Sequence, residues 1–194
     1  MQDVTPLRLP PLQKEPSFLI LNYLLRKDGI MDTNIFELTK IGKPEEIREA
    51  VTKEADVNDQ MSDGLTPLFI VAAENDNTDS LRVFIELGAD VHARYNNGAT
   101  PLHYAAAWNT HPEFLNILVE AGIDINSKDD NGTTPLHYSA KTSFQPDLVK
   151  TLLELGADPH IKDRFGKTAL DYARENELMF NDQAYEILMK GMKG

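Results

Sequence analysis

Apolar residues along most of the chain fall into a repeating rhythm of two short stretches separated by a polar break. In the second stretch of each round they stand at i, i+3 and i+4: Leu81, Phe84 and Ile85; then Leu115, Leu118 and Val119; then Val149, Leu152 and Leu153. That spacing gathers them into one stripe along an α-helix, with the polar residues facing the other way. The first stretch is shorter and rich in small residues, as in "PLHYAAAW" from Pro101. A Thr-Pro pair opens it, so a threonine hydroxyl stands ready to cap free amides and proline takes the first helical position, where its missing N–H loses nothing. Polar breaks such as "NTHPE" and "SFQPD" follow, with Pro112 and Pro146 marking the start of the second helix. Gly88, Gly122 and Gly156 come directly after it, where a left-handed helix cap is expected.

The rhythm has a fixed period. "DGLTPL" at residue 63 recurs as "NGATPL" at 97, "NGTTPL" at 131 and "FGKTAL" at 165, which spaces Gly64, Gly98, Gly132 and Gly166 at intervals of 34 residues. "ADVN" from residue 55, "ADVH" from 89, "IDIN" from 123 and "ADPH" from 157 keep the same step. Two landmarks in register define a tandem array. Between helix pairs an extended run such as "ADVHARYNNG" returns to the next Thr-Pro, and Asn97–Gly98 and Asn131–Gly132 suit a tight hairpin-like turn. The expected fold is therefore all-α: a solenoid of about five stacked helix-turn-helix units with hairpin-like finger turns.

The array is expected to span residues 34–191. It divides into an N-terminal cap unit at 34–58, repeats at 59–92, 93–126 and 127–160, and a C-terminal cap unit at 161–191. The first unit lacks the Thr-Pro motif, keeps the two-helix rhythm and carries a heavily charged second helix, as an end unit requires. The final unit lengthens its break. Residues 1–33 form an extension in which Pro6, Pro10, Pro11 and Pro16 make the first half irregular. "SFLILNYLLRK" suits a short helix after Ser17. It is open to three readings: a segment docked on the first unit, a linear motif for a partner, or sequence upstream of another start at Met31.

Composition narrows the function classes. The chain has 194 residues, no cysteine and a formal net charge of −12. Residues 1–33 are electrically balanced, so the whole acidic excess belongs to the array. Such a field repels phosphate backbones and argues against nucleic acid. No run approaches the roughly 20 apolar residues that span a bilayer, and "FLILNYLL" is interrupted by Asn22 and followed by "RKDG" where a signal-cleavage site would stand. The expectation is a cytoplasmic monomer with no membrane partner.

"TPLHYAA" from Thr100, "TPLHYSA" from Thr134 and the "GADV" and "GADP" joints resemble ankyrin repeats. The usual ankyrin interval is one residue shorter. The extra residue here falls in the helix–helix break, where loops absorb insertions at small cost. The resemblance implies that His103 and His137 serve a hydrogen-bond network between finger turn and first helix, with Thr100 and Thr134 as partners. It places His92 and His160 where the family usually has asparagine, at the root of the turn occupied elsewhere by Asn58 and Asn126.

Catalytic readings fare poorly beside this. An active site occurs once in a domain, whereas His137 has a twin at His103 one unit earlier. No two histidines share the i, i+4 spacing of zinc proteases. Asp124, Asn126 and Asp129 fail the glycine and glutamate positions of a calcium loop. The chain is expected to be no enzyme and to hold no cofactor or metal.

The resemblance implies instead a concave face of finger tips and inner-helix ends that binds another protein. Carried over unit by unit, its candidate residues are Met61, Arg94, Tyr95, Asn96, Trp108, Lys128, Lys141, Lys162, Arg164 and Phe165. Trp108, the only tryptophan, either joins Tyr95 as an aromatic anchor or packs over the break against Pro112 or the next unit. The fingers 59–65, 93–99, 127–133 and 161–167 carry −2, +1, −1 and +2, so the acidity lies mostly on the outer helices. A different functional class, modification of Asn58 or Asn126 by an asparaginyl hydroxylase, is what the family resemblance offers as the alternative.

Overall fold

In the computed structural model, residues 35, 38–39, 43–52, 55–142, 146–175 and 183–193 are described. The chain divides between Ile30 and Met31, and every described residue belongs to the second unit. The extension at 1–33, with its expected helix after Ser17, lies outside them, as do the break at 143–145 and the longer break at 176–182.

Nine helices follow in order among the described residues: α1 Pro44–Thr52, α2 Pro67–Glu74, α3 Thr78–Glu86, α4 Pro101–Trp108, α5 Glu113–Glu120, α6 Pro135–Thr142, α7 Pro146–Glu154, α8 Ala169–Glu175 and α9 Gln183–Gly191. They stack in two rows. The first helices of successive pairs form an inner row in which α2, α4, α6 and α8 each pack on the next; α1, α3, α5, α7 and α9 form an outer row in the same way. Ile35, Leu38 and Thr39 are helical and precede α1 as the remainder of the first pair.

The composition of each row follows from its surroundings. Inner helices are covered on nearly every side, and in α2 all residues from Pro67 to Ala73 are buried. Small residues such as Ala72, Ala105, Ala106 and Ala140 let these helices approach closely. Outer helices show one buried stripe and one wet face. Leu81 and Phe84, Leu115 and Leu118, and Val149 and Leu152 are fully buried, while Arg82, Glu86, Glu120 and Glu154 are exposed. Leu118 and Leu152 thus occupy the same place in consecutive outer helices. Even α1, with exposed Glu45, Glu46, Arg48 and Glu49, turns Ile47 and Ala50 inward, and Arg48 pairs with Glu86 on α3.

Each internal outer helix ends as its glycine predicts. Gly88, Gly122 and Gly156 have φ of 91°, 101° and 94°, and the following N–H reaches back five residues, as from Ala89 to the Phe84 carbonyl at 2.9 Å. The helix starts differ from the expectation in one respect. The Thr66 hydroxyl makes no cap to α2 and is buried with no hydrogen-bond partner among the described residues. Asn77 does cap α3, its side chain accepting from Asp79 N–H at 2.9 Å.

The helix–helix break, where the extra residue of the 34-residue period falls, has a structural use. Asn75 and Asn109 end α2 and α4 in extended conformation and are almost fully buried. Their side-chain oxygens accept from N–H two residues on, Asn77 at 2.7 Å and His111 at 2.8 Å. Their amide nitrogens donate backwards into the preceding pair: Asn75 to the Thr39 carbonyl at 2.6 Å, and Asn109 to the Ala72 and Asn75 carbonyls at 2.8 and 3.2 Å. In α6 the Thr142 hydroxyl lies between two carbonyls, Tyr138 of its own helix at 2.7 Å and Ala107 of the preceding pair at 3.3 Å, and its single proton goes to the nearer. At the ends of α2 and α4 the break thus stitches a pair to the one before it.

Removing this stitch leaves buried carbonyls without a donor, a loss of about 2 kcal/mol. Asn109→Ala is expected to lower unfolding free energy by about that amount in urea denaturation, whereas the exposed Glu113→Ala stays within about 0.5 kcal/mol of the parent.

Candidate protein-binding face

The fingers are built by backbone bonds and held by side chains beneath them. In the second finger Tyr95 N–H donates to the Ala99 carbonyl at 2.9 Å and Gly98 N–H to the Tyr95 carbonyl at 2.7 Å. The third and fourth repeat the pattern from Asp129 and Asp163. Single bonds then tie finger to finger: Asn96 N–H to Asp63 O at 3.0 Å, Asp130 N–H to Asn97 O at 2.9 Å, and Arg164 N–H to Asn131 O at 2.8 Å. At Gly98, with φ of 76°, a Cβ would stand 2.4 Å from the Asp130 carboxylate, so the Asn-Gly pair serves both the turn and the approach of the next finger.

Beneath the fingers lie two imidazoles. His103 Nδ1 accepts from Thr100 N–H at 3.0 Å and stands 2.9 Å from the Thr100 hydroxyl; Nε2, on its other edge, is 3.0 Å from the Thr133 carbonyl of the next finger. His137 repeats this with Thr134 at 3.2 and 2.8 Å and with the Lys167 carbonyl at 3.1 Å. With Nε2–H donating and Nδ1 accepting, each ring is neutral and fully used. In the last unit the Asp171 carboxylate accepts from Thr168 N–H and hydroxyl at 2.9 and 2.8 Å, which holds its carboxyl below the usual range. Phe69 has no such acceptor, which is why Thr66 is left unpaired.

A second ladder was not anticipated from the sequence. Asp129 and Asp163 are buried at the first position of their finger turns. Each Oδ1 accepts two finger N–H groups, from Asn131 and Thr133 and from Phe165 and Lys167. Each Oδ2 accepts a tyrosine hydroxyl from the inner helix, Tyr138 at 3.0 Å and Tyr172 at a shorter distance. Burial alone would raise the Asp163 carboxyl; the bonds from Tyr172, Lys167 and Phe165 outweigh it and hold it below the ordinary carboxylate value. Both tyrosines are pushed well above theirs, chiefly by burial. One unit earlier the pair is Tyr95 and Tyr104, packed edge-on at 5.6 Å with Phe69 5.1 Å from Tyr104. The corresponding positions one unit before are occupied by Met61 and Ile70. The signal was an aspartate with a tyrosine nine residues later, present at 129/138 and 163/172.

The expected face residues are placed as follows. Met61 is half-buried and opens the first finger turn. Arg94 is exposed, but its guanidinium donates to the Gly98 and Lys128 carbonyls at 2.7 and 2.8 Å, bracing two fingers. Tyr95 turns its ring into the aromatic stack, and its hydroxyl lies 3.3 Å from Asp63 Oδ2. Asn96, Lys128 and Lys162 are exposed at the tips. Trp108 is half-buried at the last position of α4. Lys141 and Lys167 both lie over the Tyr172 ring, at 5.4 and 5.2 Å. Arg164 covers Phe165 at 4.7 Å, and Phe165 is 57% exposed. Asn58 and Asn126 hold the finger roots: Asn58 Oδ1 accepts from Asp90 N–H at 2.7 Å, and Asn126 Oδ1 from Asp158 N–H at 2.8 Å.

A family model for ankyrin repeats (3 copies) matches residues 35–129 and again residues 106–193. The chain belongs to the ankyrin repeat family. Ankyrin repeats are generally protein–protein interaction modules and typically non-catalytic. The search of curated proteins returned no match. Among the described residues, no group of three or more His, Cys, Asp or Glu side chains is arranged to hold a metal ion. None of their helices is long and apolar enough to cross a membrane.

The buried imidazoles make ankyrin stacking sensitive to acid. Burial pushes His103 down to about 4 from an ordinary value of 6.5, and lowers His137 as well. Below pH 6.5 the unfolded chain therefore binds protons that the folded chain refuses, and stability falls as pH falls. From His103 alone, about 2 kcal/mol is expected to be lost between pH 7 and pH 5; a flat urea midpoint over that interval would contradict the assignment. Thr134→Val is expected to lower stability by about 1 kcal/mol at pH 7 through loss of a buried bond, while Thr66→Val, which removes an unpaired hydroxyl, leaves it unchanged or raised.

Proposed function

We propose that the chain is a non-catalytic scaffold or adaptor whose finger face holds a segment of another protein. It acts as a cytoplasmic monomer, with no cofactor and no nucleic-acid partner. The observation that carries this reading is the fixed spacing of the fingers. Backbone bonds join each finger to the next, Arg94 braces two of them, and His103 and His137 hold the finger ends from below. Side chains at the tips are thus held in place before a partner arrives, which removes much of the ordering cost of association. Asn96, Lys128, Lys162, Arg164 and Phe165 are exposed on this frame, and the five outer helices together carry −6 of the net charge of −12.

Trp108 is the side chain to test first. Half-buried at the end of an inner helix, it has the size and rigidity of residues that dominate interface energy. Tyr95 is a poorer probe, because it also holds the stack with Tyr104. Affinity capture from the native lysate, with wild-type chain and Trp108→Ala side by side, is expected to show proteins retained by the first and lost from the second, with Tm lowered by no more than about 4 °C. An identical set of proteins on both would remove Trp108 from the interface.

A further inference from the structure

We propose that the fourth finger, with the lysine at the end of α6, is a seat for an extended Asp/Glu-rich segment of the partner protein. This rests on the reading of the finger face as protein-binding and adds the partner's chemistry.

Charge is the first observation. The array carries the whole of a −12 excess, yet finger 161–167 is +2, against −2 for finger 59–65. Lys162 and Arg164 are exposed at its tip. The acidic groups nearby are already engaged: Asp163 by Tyr172 and finger N–H groups, Asp171 by Thr168, and Glu175 by Lys167, whose ammonium lies 2.7 Å from both carboxylate oxygens. Lys167 thus already holds a carboxylate of its own chain, Glu175, beside the two exposed tip cations. Lys141 and Lys167, from different units, converge on the Tyr172 ring; with Lys167 paired to Glu175, the exposed cations at the tip are Lys162 and Arg164, and Lys141 stands behind them on the inner row.

Backbone geometry is the second. The Asp63, Asn97 and Asn131 carbonyls each accept an N–H from the following finger. The equivalent carbonyl in the fourth finger belongs to Phe165, and no further finger follows it among the described residues. A Cβ built on Gly64 or Gly98 would collide with the next finger, whereas one on Gly166 meets nothing within 4 Å. Among the described residues this edge is open to an extended chain, which can add as a further finger by donating an N–H to Phe165 O. Phe165, the large apolar side chain exposed at 57% among the described residues, gives that chain an apolar contact beside the Arg164 guanidinium. Cations, an open edge and one aromatic define the occupant: extended, rich in carboxylates and carrying an apolar side chain.

Selection of a random 16-residue peptide display library on the full chain tests this and does not require the natural partner. The expected result is enrichment of Asp/Glu-rich peptides whose binding weakens about tenfold or more in Lys162→Glu/Arg164→Glu and falls with added salt. Circular dichroism melts of that variant are expected to match wild type; should it fail to fold, Lys162→Gln/Arg164→Gln takes its place. Enrichment of peptides with no acidic bias, or acidic peptides indifferent to these variants, would overturn the inference while leaving the finger face a protein-binding surface. No enrichment at all would overturn the inference. Sedimentation of the wild type alone gives the remaining arm: self-association abolished by Lys162→Glu/Arg164→Glu would assign the edge to a second copy of the chain and likewise overturn it.

Discussion

No helix pair in this chain can bury its own apolar surface. Ordering a residue costs about 1–2 kcal/mol in backbone entropy, comparable to what one buried leucine contributes, and a unit of 34 residues has far more residues than leucines. Stability has to come from the neighbour. The inner row meets this need with small residues and leucines that are buried only because another inner helix lies on either side, as Leu102 of α4 is between α2 and α6. The outer row does so with one stripe per helix. Removing a unit from the middle would expose both of its neighbours.

The polar links obey the same constraint. At the breaks and on the far edge of each imidazole, side-chain hydrogen bonds run to the adjoining unit, Asn75 to Thr39, Asn109 to Ala72, His103 to Thr133 and His137 to Lys167, while the Thr100–His103 and Thr134–His137 bonds close within their own. Such bonds contribute little apiece in net stability, but an unmade one is expensive because its partner is then buried bare. They act as a register, fixing how far one unit is displaced on the next. The spacing of the fingers follows from that register, and so does the geometry of any surface made from finger tips.

The fold was legible because its signals are local and repeated. Glycine caps, Thr-Pro starts and apolar stripes recur at one interval, so each occurrence supports the others. The role of His103 and His137 was legible from their duplication and from the family resemblance. The tyrosine–aspartate ladder was not: Asp129 and Tyr138 look like an ordinary finger acid and an ordinary inner-helix aromatic until the turn brings them within 3.0 Å. Its logic lies in the finger partner: the inner-helix residue is tyrosine at 104, 138 and 172, and the contact changes from ring packing to a hydroxyl–carboxylate bond as Tyr95 gives way to Asp129 and Asp163. The break asparagines were equally hidden, since an inserted residue in a loop gives no sign of which carbonyl it will reach. Surface roles were the least legible. Exposure depends on what neighbouring units cover, and Arg94 and Tyr95, which look alike as tip residues, end with a guanidinium across two fingers and a ring inside the stack.

The functional consequence is a rigid comb whose teeth vary while its back is constant. Residues such as Leu102 and Leu136 are fixed by stacking, whereas tip positions such as 96, 130 and 164 are free to differ, as Asn96, Asp130 and Arg164 do. Native-state hydrogen exchange on Leu102→Ala examines the dependence of each unit on its neighbours most directly. Loss of amide protection is expected in α4 and, to a similar degree, in both α2 and α6. Protection lost from α4 and α5 alone, with α2 and α6 unchanged, would mean that each helix pair stands by itself.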